Sequence, residues 1–514
     1  MRRTRTFLQL KAAIPGGGNY MLKNLFATTS ISASSGTGEL PDVGPHGEAT
    51  LKRALTARHL VMLGIGAIIG AGIFVITGQA AAQHAGPAIV LSFVLAGFAC
   101  ALAALCYAEF SAMLPVSGSA YSYSYATLGE YVAWFVGWSL VLEYLFTVAT
   151  VAAGWSGYFN KLLSLISGWI GHDVSLPQVL ASAPFTVVDG HIQATGMLIN
   201  LPAVAIIAAI TGLCYVGITQ SAFVNSIIVA IKVTVILLFI AFAAKYVNPD
   251  NWHPFIPANE GASKYGWSGV GRAAAIVFFS YIGFDAVSTA AAEAKNPQRD
   301  MPIGILGSLV VCTILYIIVA GILTGIADFR LLGTPEPVAT ALDNYPTLHW
   351  LQIIVVIGAV TGLSSVILVM LMGQPRIFYS MARDGLIPAV FGRIHKKFRT
   401  PHVGTVVVGV LAAVLGGMFN IGVLGEMVAM GTLLAFATVC IGVLVLRYTR
   451  PELPRAFRVP VPWLVCPLGA LACMALFLQS FVEHWRWMLA WIAIGQAIYF
   501  LYGYSHSKLR KPAA

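Results

Sequence analysis

Lys232, Glu143 and Asp285 are ionisable side chains that this sequence sets deep in apolar runs. Lys232 lies within Ile227-Ile228-Val229-Ala230-Ile231-Lys232-Val233-Thr234, and Glu143 within Trp138-Ser139-Leu140-Val141-Leu142-Glu143-Tyr144. Asp285 closes Phe278-Phe279-Ser280-Tyr281-Ile282-Gly283-Phe284-Asp285. A charge in hydrocarbon surroundings is costly, and such residues mark ion paths, proton relays or ligand sites. Burial of a lone ammonium disfavours its charged form, so Lys232 can gain and lose a proton and can act as a movable positive charge. A plainer role for Lys232 is a permanent ion pair with Glu143 that fastens two helices. For Asp285 it is bonding to nearby backbone amides. Glu109, Glu293, Arg376 and Glu426 lie nearer the ends of apolar runs, where they can snorkel or cap. All eleven histidines fall in tails, loops or run ends, which leaves no histidine relay in an apolar core.

The elements that carry these residues break their own helices. From Leu60 to Thr77 the chain is apolar and long enough to cross a bilayer, yet it contains Gly64-Ile65-Gly66-Ala67-Ile68-Ile69-Gly70-Ala71-Gly72-Ile73-Phe74. Glycine weakens a helix interior and lets other atoms approach the backbone. Unwound backbone inside a membrane is tolerated only where protein encloses it. The segment ending at Asp285 has the same character about two hundred residues later. Paired interrupted helices in two halves of a chain are the sequence sign of a transporter's binding site. Close helix packing through small residues is the competing explanation.

Composition fixes the class. Of 514 residues, 58% are hydrophobic and 10% charged, and the mean hydropathy is +0.81. Soluble domains carry about 25% charged residues, so this chain is an integral membrane protein. Twelve spans are expected, near 60–82, 87–112, 130–158, 198–217, 221–245, 268–293, 302–326, 350–380, 402–419, 422–446, 462–481 and 485–504. An even count puts both termini on one side. Lys52, Arg53, Arg58, Lys295, Arg299, Arg383, Arg393, Lys396, Lys397, Arg399, Arg447 and Lys508 then share that side, and few basic residues remain on the other. This asymmetry predicts cytoplasmic termini. It also accounts for the net charge of +10 without nucleic acid. The seven cysteines lie in or at apolar runs with no CxxC pair, which argues against disulfides and metal binding. No cleavable signal is expected, because the apolar pieces after Arg2, Arg3 and Arg5 are short and broken. Residues 1–50 read as a flexible tail, and Met21 is as good a start as Met1.

These motifs resemble the amino acid–polyamine–organocation superfamily, in particular bacterial amino acid permeases similar to cationic amino acid transporters. The likeness covers nearly all of 50–505. It rests on the glycine run from Gly64 to Phe74, on Phe279–Asp285 running into Glu293-Ala294-Lys295-Asn296-Pro297, and on Gln374-Pro375-Arg376-Ile377-Phe378-Tyr379 and the residues to Pro388. The resemblance implies an all-α membrane protein of twelve helices, as a five-plus-five inverted repeat with helices 1 and 6 broken. Residues 51–505 would form the transporter domain: first repeat 60–245, second repeat 268–446, and two extra helices in 462–504. Residues 506–514 would be a second cytoplasmic tail.

The resemblance also implies a substrate site. The α-carboxylate would meet backbone N–H groups around Gly70, Ala71 and Gly72, and the α-ammonium carbonyls of Ile68, Phe279, Ser280 and Ile282. Ile69 and Gly283 complete the set, and Phe279 would gate it. Some relatives carry serine where this chain has Ala71, so one hydrogen bond to the carboxylate is missing. Lys232 stands where proton-dependent relatives replace a sodium site, and with Glu143 it would couple transport to protons.

The expected function is a secondary active transporter that imports amino acids by proton symport, with alternating access, in the bacterial cytoplasmic membrane. An amino acid exchanger is the alternative. A membrane-embedded sensor would need an output domain, which 1–50 and 505–514 do not supply. No HExxH, nucleophile elbow or phosphate loop suggests an enzyme. Amino acid, proton and membrane lipid are the expected partners, with no cofactor, no metal and no nucleic acid. Thr361, Ser364, Ser365, Val369 and Met370 are candidates for one pocket wall. None is acidic, which favours neutral over cationic substrates.

Overall fold

The computed structural model describes residues 55–114, 119–188, 191–217, 222–398 and 400–510. The tail 1–50, Lys52, Arg53, Arg399 and the last four residues lie outside them. Among the described residues, eight helical stretches are long and apolar enough to cross a membrane, and two shorter apolar helices, Leu201–Val216 and His402–Met418, accompany them. The first stretch, Ala57–Met113, runs for 57 residues and the last, Pro462–His506, for 45. One crossing takes about 20 residues. Both stretches are interrupted: at Gly86, with φ +59°, and at His484, whose φ of −117° and ψ of 18° are not helical.

We label the principal elements α1 (Ala57–Ile68), α2 (Ile89–Met113), α3 (Ser119–Thr127), α4 (Glu130–Ile170), α5 (Leu201–Val216), α6 (Ala222–Ala243), α7 (Gly266–Val277), α8 (Pro297–Ile326), α9 (Pro337–Leu342), α10 (His349–Arg383), α11 (His402–Met418), α12 (Ile421–Thr449) and α13 (Pro462–Ile498). Local chemistry sets their ends. The Asn200 side chain accepts from Ala203 N at the start of α5, and Asn420 accepts from Val423 N at the start of α12. Gly171 and Gly217 close α4 and α5 in the left-handed conformation. Pro297 opens α8, where its missing N–H costs nothing.

α1 packs against α6 and α8, α8 against α2, and α4 against α10 and α12. α4 continues twelve residues past the apolar run that ends at 158. Its extension, 159–170, is half-buried to exposed and carries Lys161, Ser164 and Ser167, so hydropathy alone stops short of it. Beyond it, Phe185–Val188 (β1) and His191–Ala194 (β2) form an antiparallel hairpin in which Val188 faces His191. The ionisable residues near run ends are paired. Glu109 holds Arg447 and Arg455, Glu293 stands 3.9 Å from Arg376, and Glu426 meets Arg272.

Candidate functional site

The site is built on two breaks. α1 ends at Ile68, Ile69 is extended (φ −71°, ψ 99°), and the helix resumes over Gly72–Ile76 in a wider π winding. α7 ends at Val277 and passes through a 3-10 turn, Phe278–Tyr281. Ile282 is extended, Gly283 has φ +123°, and a short helix follows at Ala286–Thr289. Only glycine adopts that φ without strain.

The breaks abut each other. A β-carbon on Gly72 would stand 2.5 Å from Ser280 Cα, and one on Gly283 would stand 2.8 Å from the Ala67 carbonyl carbon. Both glycines are therefore required by close backbone approach. On the other side of the first break, Val366 of α10 lies against Gly70, 3.0 Å from where its β-carbon would be. Helical windings that restart at Gly72 leave their first N–H groups directed at the break, where an anion is favoured.

The carbonyls freed by the breaks have protein partners. The Tyr316 hydroxyl, from α8, lies 2.8 Å from both Ile68 O and Ser280 O. Phe279 O accepts from Ile282 N at 3.2 Å. Lys232, fully buried, donates from Nζ to Gly66 O at 2.8 Å and to Ile69 O at 2.9 Å. Its aliphatic stem runs along Gly362 of α10. Each carbonyl keeps a second lone pair, so an ammonium can still bind beside these donors. Further out, Thr77 Oγ1 donates to Gly72 O at 2.8 Å and the Tyr158 hydroxyl to Phe74 O at 2.7 Å. Thr77 N also donates to Gly72 O, so the threonine hydroxyl adds a second bond to that carbonyl.

Ile68, Ile69, Gly70, Ala71, Gly72, Phe279, Ser280, Ile282 and Gly283 are thus all buried around one junction. Lys232 joins them and Glu143 does not. Among the described residues Lys232 and Glu143 form no ion pair. Glu143 instead adjoins Asp285 and Thr432, without hydrogen-bond geometry to either. Asp285 Oδ1 accepts from Gly283 N at 3.1 Å, so its bonding to a freed amide is real, while Oδ2 has no partner. The Tyr107 and Tyr144 hydroxyls nearby are also unpartnered and buried. A carboxylate only accepts, so a bond between Glu143 and Asp285 needs a proton or water between them, while the Tyr107 and Tyr144 hydroxyls offer further donors.

Of the wall candidates, Thr361 is exposed and bonds back to Ile357 O, while Ser364 Oγ accepts from Trp155 Nε1 at 2.9 Å. Val366 is the α10 side chain found against the first break. Neither Val366 nor Tyr316 stands out in the sequence. The one hint for Tyr316 is its polar tip in the otherwise apolar Ile314-Leu315-Tyr316-Ile317-Ile318.

Residues 55–500 match the family described as amino acid permease. The chain is 48% identical over 467 residues to a branched-chain amino acid permease of Bacillus subtilis (strain 168), covering 90% of this chain and 96% of that protein. It is 45% identical to a methylthioribose transporter of the same organism, with the same two coverages. It is 40% identical to the vacuolar cationic amino acid transporter 2 of Arabidopsis thaliana, over 78% of this chain and 61% of that one.

Proposed function

We propose that this chain, which belongs to the amino acid permease family and is a transporter and not an enzyme, imports neutral amino acids by proton symport with alternating access. The observation that carries the reading is the junction of the two breaks, Gly72 against Ser280, with Lys232 bonded beneath the first. Zwitterion recognition follows from it. The carboxylate meets N–H groups at Gly70, Ala71 and Gly72, and the ammonium shares the carbonyls of Ile68, Phe279, Ser280 and Ile282. Lys232 couples to protons because its charge state sets how strongly the carbonyls of Gly66 and Ile69 are held. Glu143, with Asp285, forms a second place where a proton can reside.

Neutral substrates are supported by the walls at the junction, Ile69, Ala71, Phe279 and Val366, which offer no carboxylate to a cationic side chain. The names of the two Bacillus relatives point the same way, since branched-chain amino acids and methylthioribose carry no cationic side group. Twelve spans in a five-plus-five inverted repeat, 60–245 and 268–446, with two more in 462–504, fit the interruptions at Gly86 and His484 and the two short apolar helices. The lysine and arginine asymmetry supports cytoplasmic termini in a bacterial inner membrane.

One observation favours a second reading. Two short bonds from Lys232 Nζ are what a permanently charged strut would make, and such a protein would exchange amino acids instead of coupling to protons. Uptake of a panel of labelled amino acids into proteoliposomes, with and without an imposed pH gradient, tests both. Accumulation of leucine or alanine driven by the gradient supports symport. Arginine or lysine outcompeting them at low concentration would sink the neutral assignment.

A further inference from the structure

Further along α4, whose first residue Glu130 binds Arg510, the structure opens into a cavity of about 1230 Å³. Its inner surface includes Ala153, Ser156, Gly157 and Asn160 of α4, and its edge includes Glu336, just before α9. Gly154, on the adjoining face of α4, touches Val75 and Ala71 of the broken helix, so this cavity adjoins the central site.

Three acceptors border one corner of it. Ser156 Oγ is buried and has no hydrogen-bond partner. Asn160 Oδ1, one helical turn on, also has none, while its Nδ2 reaches Ala181 O at 3.4 Å. The Glu336 carboxylate lies over Gly157 between them, with Oε2 3.0 Å from where a β-carbon would stand. Neighbouring cations are engaged elsewhere. Lys161 holds both oxygens of Asp343, at 2.7 and 2.9 Å, and Arg272 holds Glu426 and Glu483. Among the described residues Glu336 has no ion-pair partner. A primary ammonium has three donors and no acceptor, which matches a carboxylate, an amide oxygen and a hydroxyl. Charge-assisted bonds of this kind are the stronger ones.

We propose that Ser156, Asn160 and Glu336 form an outer docking site for the α-ammonium of an amino acid on its way to the central junction. This assignment rests on the transport reading and on the orientation given above. Burial, with the Asp343 charge adding to it, pushes the Glu336 carboxyl up to about 7, against the opposing pull of Lys161. Docking is therefore strong above about pH 7, where Glu336 is charged, and fades as outside pH falls through that value. Lys161 and Asp343 are the charged groups nearest Glu336. His84, Glu426, Glu483, His484 and Arg486 border the same cavity and set its background charge.

The test uses the full chain reconstituted in liposomes. At outside pH 7.5, Glu336→Gln is expected to raise the KM for leucine uptake about fivefold with kcat nearly unchanged, as for a partly exposed charged contact. At pH 5.5 the difference from wild type should shrink towards none. Leucine methyl ester, which keeps the ammonium and lacks the carboxylate, should bind Gly72→Leu protein and lose that binding on adding Glu336→Gln. The 2-hydroxy analogue of leucine, and sodium chloride alone, should not compete. Should Gly72→Leu misfold, titration of the ester on wild type and Glu336→Gln decides instead. An unchanged KM in Glu336→Gln, or ester binding indifferent to Glu336, overturns the docking site. Absence of any uptake by wild type would overturn the transport reading, while Glu336-dependent ester binding would survive it.

Discussion

The hydroxyl of Tyr316 stands 2.8 Å from the carbonyl oxygen of Ile68, the last residue of α1, and equally close to Ser280 O in the other broken helix. One side chain from α8 thereby ties together two unwound segments about two hundred residues apart in sequence. Both carbonyls belong to the set proposed for the substrate ammonium, and each keeps a lone pair beside the tyrosine.

Tyr316→Phe removes the shared donor and keeps the ring, which is fully buried near Phe93 and Tyr281. Leaving two buried carbonyls short of a partner costs about 1–3 kcal/mol. A lower melting temperature and weakened leucine binding are expected together. If the variant bound leucine like wild type at unchanged stability, the bridge would be incidental.

The two glycines at the junction are expected to fail differently. Gly72→Leu places a branched side chain against Ser280, with its β-carbon 2.5 Å from Ser280 Cα, and should abolish leucine binding and also lower thermal stability in a protein that still inserts. Gly283→Ala forces a side chain into φ +123° against Ala67, a strain of about 1–3 kcal/mol. It should therefore show first as lost thermal stability. Phe279→Ala removes packing and leaves the carbonyls, so weaker but measurable binding is expected. Normal binding by Gly72→Leu would place the substrate elsewhere.

The breaks themselves were legible because glycine spacing inside an apolar run is a local signal, and so was the isolation of Lys232. What those residues touch was not. Sequence offers Glu143 as an ion-pair partner for Lys232 and leaves Asp285 to nearby backbone amides. The fold gives the lysine backbone carbonyls and brings the carboxylates together, because a break turns Gly66 O and Ile69 O into acceptors nearer than any acid. Such acceptors belong to backbone geometry and leave no trace in side-chain type. The length of α4 past residue 158 was hidden for the reverse reason, since a hydropathy window sees the membrane and not a helix that outgrows it.

Orientation can be checked directly. All seven cysteines are buried and make a quiet background for labelling. A cysteine placed near residue 45, and another at Lys396, should resist an impermeant thiol reagent added outside intact cells and react after permeabilisation. Labelling of either from outside would reverse the assignment and move the Glu336 cavity to the cytoplasmic face.

The coupling role proposed for Lys232 is tested by two substitutions. Lys232→Gln keeps a donor near Gly66 O and Ile69 O but carries no titratable charge, so it should hold the first break together while losing pH-driven accumulation. Lys232→Ala should lose accumulation and also some stability, because two buried carbonyls go unpartnered at about 1–3 kcal/mol each. Each proton entering with substrate contributes about 2.3 kcal/mol per 100 mV of membrane potential, enough for more than tenfold concentration. Glu143→Gln is the companion variant. If Lys232 alone carries the coupled proton, Glu143→Gln accumulates leucine normally; if the carboxylate pair carries it, Glu143→Gln fails and Lys232→Gln still works. Melting temperature and gradient-driven uptake measured on the same preparations separate a strut from a coupler. A stable Lys232→Gln protein that still concentrates leucine under a proton-motive force excludes Lys232 as the proton carrier.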